Sequence, residues 1–109
     1  MTEPEPVSGT VEELDAAVRA YSAAFFGADA TTIYGMLSAR CAASTDVSTM
    51  TGNLMAVQSI YGAGPELLTV DASVDGPVGR ATYTYSEASL NVTDQPWVFE
   101  GGSWRYDEC

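Results

Sequence analysis

The sequence predicts an α+β domain in which three N-terminal helices pack on a curved antiparallel sheet. Two observations indicate this class. Before Pro65, apolar residues recur every three or four positions, as on one face of a helix. After Pro65, apolar and polar residues alternate, which is typical of strands with one buried face. Because the helices precede the strands instead of alternating with them, we expect the strands to be antiparallel.

The first helix is predicted over 11–26. Thr10 and Glu13 form the pattern of a capping box, and Gly27 is a suitable end. Its apolar face is formed by residues at spacings of four, three and four: Leu14, Val18, Tyr21 and Phe25. The preceding stretch, 1–9, alternates proline with glutamate and predicts an extended acidic leader, so the domain itself is expected over 10–109.

Two further helices are expected. Asp29 is a cap candidate for a short helix near 30–38, and a third helix is predicted from about Ser48 to Tyr61. The glycine and proline residues of 62–65 end that third helix.

Five short strands are predicted after Pro65. They cover 68–75, 80–86, 88–93, 96–100 and 103–107. Glycine-containing turns at 75–77 and 101–102 separate neighbouring strands. The residues expected to face inward alternate along these strands: Leu68, Val70, Ala72, Val74, Ala81, Tyr83, Tyr85, Leu90, Val92, Trp97, Phe99, Trp104 and Tyr106.

Charge and composition exclude several classes of function. The chain of 109 residues carries four arginines, no lysine and fifteen acidic residues, giving a net charge of −11. Nucleic acids and anionic membrane surfaces require a basic patch, which this composition does not supply. We interpret the charge as a means of solubility rather than as a specific site for a cationic partner. No apolar run is long enough for direct membrane insertion.

The two cysteines predict a disulfide. Cys109 is the last residue, and a chain end is mobile unless something holds it. A bond to Cys41 closes most of the chain into one loop, worth roughly 4 kcal/mol in the chain-entropy model. The alternative is two free thiols, which the terminal position fits poorly. Because cytosolic thiols stay reduced, the disulfide indicates an extracytoplasmic protein, and we expect its signal or anchor segment to lie outside this sequence.

The order of elements, with two sequence segments, resembles a known family. Residues 10–41 read as a long helix, a Gly-x-Asp break, a short helix and Leu-Ser-x-x-Cys, and 101–109 read Gly-Gly-Ser-Trp-Arg-Tyr-Asp-Glu-Cys. The chain resembles the nuclear transport factor 2-like superfamily of cone-shaped α+β domains, and within it small exported actinobacterial domains attached to lipoprotein or membrane anchors. The resemblance implies a cone whose mouth can enclose a small apolar molecule.

Five aromatic residues are the predicted lining of that mouth, because each lies on an expected inward face: Tyr21, Phe25, Tyr61, Tyr83 and Trp97. The alternative is that these rings only fill the core. No cofactor is expected, and no metal site, because two cysteines without any histidine make at most half a zinc site.

Catalysis is not the favoured interpretation. The absence of histidine excludes Ser-His-Asp and Cys-His units. A carboxylate with tyrosines, as in the isomerases of the superfamily, stays open, with Asp71 and Glu87 as the nearest candidates, although alternation turns Asp71 towards solvent. The sequence therefore favours a non-enzymatic exported domain that binds a small apolar ligand or an envelope protein. The alternatives are an isomerase- or dehydratase-type enzyme and an assembly module that forms a homodimer through the open sheet face.

Overall fold

A computed structural model of the chain describes residues 9–109. The leader predicted over 1–9 therefore lies, except for Gly9, outside the described residues. Helices come first: α1 (Val11–Phe26), α2 (Ala30–Met36), α3 (Ala39–Ala42) and α4 (Val47–Tyr61). A sheet follows, with strands β1 (Leu67–Asp75), β2 (Val78–Tyr85), β3 (Val92–Glu100) and β4 (Ser103–Tyr106). All neighbouring strands are antiparallel in the order β1-β2-β3-β4, so the predicted α+β class is confirmed.

The helix boundaries follow the capping residues. The capping box of α1 is present, since Thr10 Oγ1 accepts from the Glu13 N–H at 3.1 Å and Glu13 Oε1 accepts from the Thr10 N–H at 2.8 Å. Asp29 caps α2 as predicted. The prediction of three helices is wrong, because residues 9–109 contain a fourth, the single turn α3. Ser38 caps that turn by accepting from the Cys41 N–H at 3.2 Å.

The third and fourth predicted strands form one strand, β3. A break was predicted at 94–95, but the chain stays paired with β2 through an irregularity at this point. Asp94 takes a left-handed conformation with φ of 51°, and its N–H donates to Thr82 Oγ1 at 3.0 Å. Residues 88–90, predicted as the start of a strand, form a 3-10 turn capped by Glu87.

Leu68 does not face inward. The register of β1 against β2 shifts between Leu67 and Thr69, so Leu67 packs against the core and Leu68 is 52% exposed. An extra residue on one strand moves the next side chain to the opposite face. Beyond the shift the predicted alternation holds, since Val70, Ala72 and Val74 are the half-buried residues of this strand.

The core lies between α1 and the inner face of the sheet. It is built from large side chains that are at most 9% exposed: Leu14, Val18, Phe26, Tyr83, Tyr85, Trp97, Phe99 and Trp104. Close approach requires glycine at position 79, where a Cβ atom would lie 2.7 Å from Leu14 Cδ2. A smaller cluster joins α1, α2 and α4 through Ala24, Ala30, Ile33 and Leu54.

Between Leu68 and Val78 at its ends, the outward face of β1 and β2 is polar. Thr69 and Thr84 face each other with their hydroxyl oxygens 2.6 Å apart. Asp71 lies opposite Thr82, and Ser73 opposite Arg80. Asp71 is exposed, as the alternation predicted.

Candidate functional site

A cluster of aromatic rings occupies the space between α1 and the sheet. Tyr21 of α1 stacks on Tyr106 of β4, with ring centroids 4.8 Å apart and planes at 7°. Trp97 meets both rings edge-on, at 5.7 Å from Tyr21 and 5.8 Å from Tyr106. These contacts join the middle of α1 to the two C-terminal strands.

The same cluster continues towards the end of α1. Phe25 lies 6.0 Å from Tyr21 and 5.1 Å from Phe26. Phe26 in turn meets Tyr85 edge-on at 5.5 Å and Tyr61 at 6.4 Å. Gly64, with φ of 85°, permits the chain to pass over Phe26, because a Cβ atom there would lie 2.4 Å from the ring. Rings from five elements, α1, α4, β2, β3 and β4, therefore pack as one group along α1.

A glutamine lies inside this aromatic layer. Gln95 is 4% exposed, and its Oε1 accepts from the Tyr83 hydroxyl and from the Trp97 indole N–H, both at 2.9 Å. Its Nε2 donates to Glu108 Oε2 at 3.2 Å. Within residues 9–109, no buried side-chain nitrogen or oxygen lacks a partner. The glutamine therefore satisfies two buried donors that the aromatic residues bring with them.

The tyrosine hydroxyls are held in their neutral form. Burial raises the pKa of Tyr21, and the neighbouring hydroxyl of Tyr106 raises it further. Burial also raises the pKa of Tyr83, of Tyr106 and of Tyr85, whose oxygen lies 2.7 Å from Ser22 Oγ. These groups are therefore neutral, hydrogen-bonding phenols at neutral pH.

One apolar cleft opens beside the rings. It has a volume of about 160 Å³ and is named the aromatic cleft here. Its lining comes from α1, β2, the 3-10 turn and β3: Tyr21, Phe25, Phe26, Tyr85, Leu90 and Val92.

The five predicted lining residues are only partly brought together. Tyr21 and Phe25 line the aromatic cleft. Tyr83 and Trp97, which are 2% and 1% exposed, lie in the core beneath it and bond to Gln95. Tyr61 lies at the end of α4, is 38% exposed and contacts only the edge of Phe26 within this aromatic group.

Three carboxylates bear on the catalytic alternative. Asp71 points away from the core, and Glu87 caps the turn at 88–90. Glu87 Oε1 accepts from the Ser89 N–H and also from the Ser89 hydroxyl at 3.0 Å. The carboxylate nearest the buried tyrosines is Glu108, which the sequence did not single out. Nothing in the sequence around Glu108 indicates that it lies near the tyrosines. It reaches Gln95 only because the end of the chain is anchored to the rest of the domain.

The chain end is fixed by the predicted disulfide. Cys41 and Cys109 are bonded, with Cα atoms 5.6 Å apart. Ser38 Oγ donates to Asp107 Oδ1 at 2.6 Å, and Arg40 forms an ion pair with the same carboxylate at 3.2 Å. The Ser38 N–H donates to the Tyr106 carbonyl at 2.8 Å, which attaches the start of α3 to β4.

Across the described residues, no group of histidine, cysteine and acidic side chains is arranged to hold a metal ion. None of the helices within 9–109 combines the length and apolarity needed to cross a membrane. No protein-family model, no curated protein and no solved structure matches the chain.

Proposed function

We propose that the chain is a non-enzymatic, extracytoplasmic domain that binds a small apolar molecule in the aromatic cleft. The observation that carries the proposal is the cleft itself, about 160 Å³ with a lining of aromatic and aliphatic side chains. An apolar space of about 150 Å³ is large enough for a benzene-sized molecule. The expected ligand is therefore a compact ring or short branched chain of about six to eight heavy atoms.

Two observations support the cellular setting and the family. The disulfide between Cys41 and Cys109 favours an oxidising compartment. The order of helices followed by antiparallel strands supports a nuclear transport factor 2-like cone, as do the register shifts in the β1–β2 and β2–β3 pairs, a type of irregularity that bends strands. In that arrangement the aromatic cleft is the part of the cone that the rings leave open.

The cleft favours apolar ligands because the hydroxyls of both tyrosines that line it are already engaged. The Tyr85 oxygen lies 2.7 Å from Ser22 Oγ, and the Tyr21 hydroxyl is hydrogen-bonded with that of Tyr106. A ligand gains from burying apolar surface, roughly 25 cal/mol per Å² before the costs of association. With few polar anchors, affinity is expected on the order of micromolar or weaker.

The enzyme and the sheet dimer have less support. An isomerase or dehydratase needs a carboxylate beside its substrate, and none of the six residues lining the aromatic cleft is acidic. A homodimer through the sheet needs an apolar outward face, whereas Thr69, Asp71 and Ser73 make that of β1 polar.

A partner protein is the second candidate, favoured by α4. This helix carries no charged residue over Val47–Tyr61, and Met55 and Ile60 are 60% and 72% exposed. A photo-reactive group at position 60 should then trap an envelope protein in the native host. The same group at Thr82, on the polar sheet face, should trap none.

The test of the ligand proposal is a titration with toluene followed by NMR of the protein. The methyl signals of Leu90 and Val92 should shift and saturate at one molecule per chain. Val92→Phe should abolish this binding, because the larger ring fills the cleft. Val78→Phe is the matched control, since Val78 is 45% exposed on the outward side of β2. Unsaturated, uniform shifts in the wild-type protein, or equal binding by Val92→Phe, would show the proposal to be wrong.

A further inference from the structure

A second hollow lies at the other end of α1. A cleft of about 480 Å³ is bounded by the first turns of α1, the end of α2 and the hairpin between β3 and β4. A smaller one of about 360 Å³ adjoins it, between Leu37, Ala39 and the hairpin residues Glu100 and Gly101. Arg105 of β4 borders both, so we name the larger one the arginine cleft.

Arg105 is held in place by a backbone carbonyl, but no carboxylate of residues 9–109 pairs with its charge. Its Nη1 donates to the Gly35 carbonyl, which holds the guanidinium across the gap between β4 and α2. Arg19 pairs with Asp15 at 2.7 Å and Arg40 with Asp107 at 3.2 Å. Arg105, in contrast, forms no ion pair with any carboxylate of residues 9–109, and within that range its Nε and Nη2 donate to no acceptor. Arg80 likewise forms no ion pair within residues 9–109, but it lies on the outward face of the sheet and borders neither cleft. Arg105 is therefore the arginine without a carboxylate partner that borders the two clefts.

The two acids at these clefts are engaged elsewhere. Glu13 borders the arginine cleft, but its Oε1 accepts from the Thr10 N–H at 2.8 Å in the capping box. Glu100 borders the smaller cleft and accepts from the Ala39 N–H at 2.6 Å. Each carboxylate is thus stabilised by a helix start, where negative charge is favoured.

The rest of the arginine cleft is largely apolar. Ala16 and Ala17 of α1, Met36 of α2 and Trp104 of β4 form its wall. One planar cation with free donors, set at the edge of an apolar wall, is complementary to a carboxylate attached to a hydrocarbon body. Phosphates and other multiply charged anions suit it less, because Glu13 and the net charge oppose additional negative charge.

We propose that the arginine cleft binds a small organic monoacid. The carboxylate accepts from the free guanidinium donors of Arg105, and the apolar body lies against Met36 and Trp104. This site is separate from the aromatic cleft, with which it shares no lining residue. It adds a second class of ligand, an amphiphilic acid, to the neutral molecule proposed above.

The test is a titration with octanoate and 4-phenylbutyrate, with uncharged octanamide for comparison. Trp104 lines the arginine cleft and reports binding by its fluorescence, whereas Trp97 lies outside the cleft. Arg105→Gln should weaken octanoate binding by about tenfold or more, the loss expected for a hydrogen bond to a charged group. Arg80→Gln is the control, since Arg80 lies on the outward face of the sheet, and it should leave binding unchanged.

A second pair of variants avoids the contact between Arg105 and Gly35. Ala16 is exposed on α1, so Ala16→Leu should fill the arginine cleft without disturbing the core, and binding should be lost. Ala20→Leu, one turn further along the same helix, should bind octanoate normally. Equal affinity for octanoate and octanamide, absence of binding by the wild-type protein, or unchanged binding by Ala16→Leu would overturn the proposal.

Discussion

Gln95 is a buried polar side chain that completes hydrogen bonds inside the aromatic core. Gln95 sits at a position that alternation places inward, between aromatic residues on β2 and β3. Tyrosine and tryptophan each bring a polar group into a core, and that group needs a partner. Gln95 Oε1 accepts hydrogen bonds from both Tyr83 and Trp97. The two aromatic residues can therefore be buried at these positions only because the glutamine is present.

Replacing this glutamine should therefore lower the stability of the protein substantially. Gln95→Leu keeps the volume similar but leaves the Tyr83 hydroxyl and the Trp97 indole N–H without an acceptor. We expect a loss of about 2–4 kcal/mol in the free energy of unfolding, measured by chemical denaturation. Gln58→Leu on the exposed side of α4 is the control and should change stability by less than about 0.5 kcal/mol. A loss in Gln95→Leu no larger than that of the control would contradict the role of the network.

At the scale of the element, the irregularity in β1 decides which leucine serves the core. Leu67 and Leu68 are equivalent in composition, and strict alternation from Val70 selects Leu68. The register shift between Leu67 and Thr69 selects Leu67 instead. The pairing with β2 thus overrides the pattern of the strand by itself.

The pair of leucines gives a direct comparison. Leu67→Ala should lower the free energy of unfolding by roughly 1–2 kcal/mol. This is less than the loss for a fully buried leucine, because the Leu67 side chain is only half-buried. Leu68→Ala should change it by less than about 0.5 kcal/mol, because this side chain is 52% exposed. Thermal and urea unfolding of both variants measures the difference. A larger loss of stability in Leu68→Ala than in Leu67→Ala would mean that β1 pairs with β2 without the register shift.

For the whole molecule, the decisive feature is the attachment of the last residues to the helical half. The disulfide, the bond from Ser38 to Asp107 and the ion pair of Arg40 all connect 38–41 with 107–109. This attachment also brings Glu108 to Gln95 and Tyr106 to Tyr21. The chain end is thus part of the core rather than an appendage.

Loss of the disulfide should weaken the fold as a unit. Cys41→Ser should reduce the free energy of unfolding by about 2–5 kcal/mol. Reduction of the wild-type protein should give a similar loss, and the variant should then be insensitive to the reductant. When the Cys41→Ser variant is unfolded with denaturant, the near-ultraviolet circular dichroism of the aromatic cluster should weaken at a lower denaturant concentration than the far-ultraviolet signal of the helices. An unchanged stability after reduction would show that the polar contacts at the chain end suffice.

The sequence by itself determined the class, the capped start of α1, the turns at Gly76 and Gly101, and the pairing of the cysteines. These depend on local chemistry: cap residues, periodicity, and the lack of any other partner for Cys109. Tertiary structure alone decided the continuity of β3, the choice of Leu67, and the meeting of Gln95 with Glu108. It also decided that Trp97 and Tyr83 fill the core while Tyr21 and Phe25 line the cleft, and that Arg105 is left without a carboxylate. The physical reason is that strand register and packing between α1 and the sheet fix which inward side chains meet each other, and periodicity specifies a face but not its neighbours.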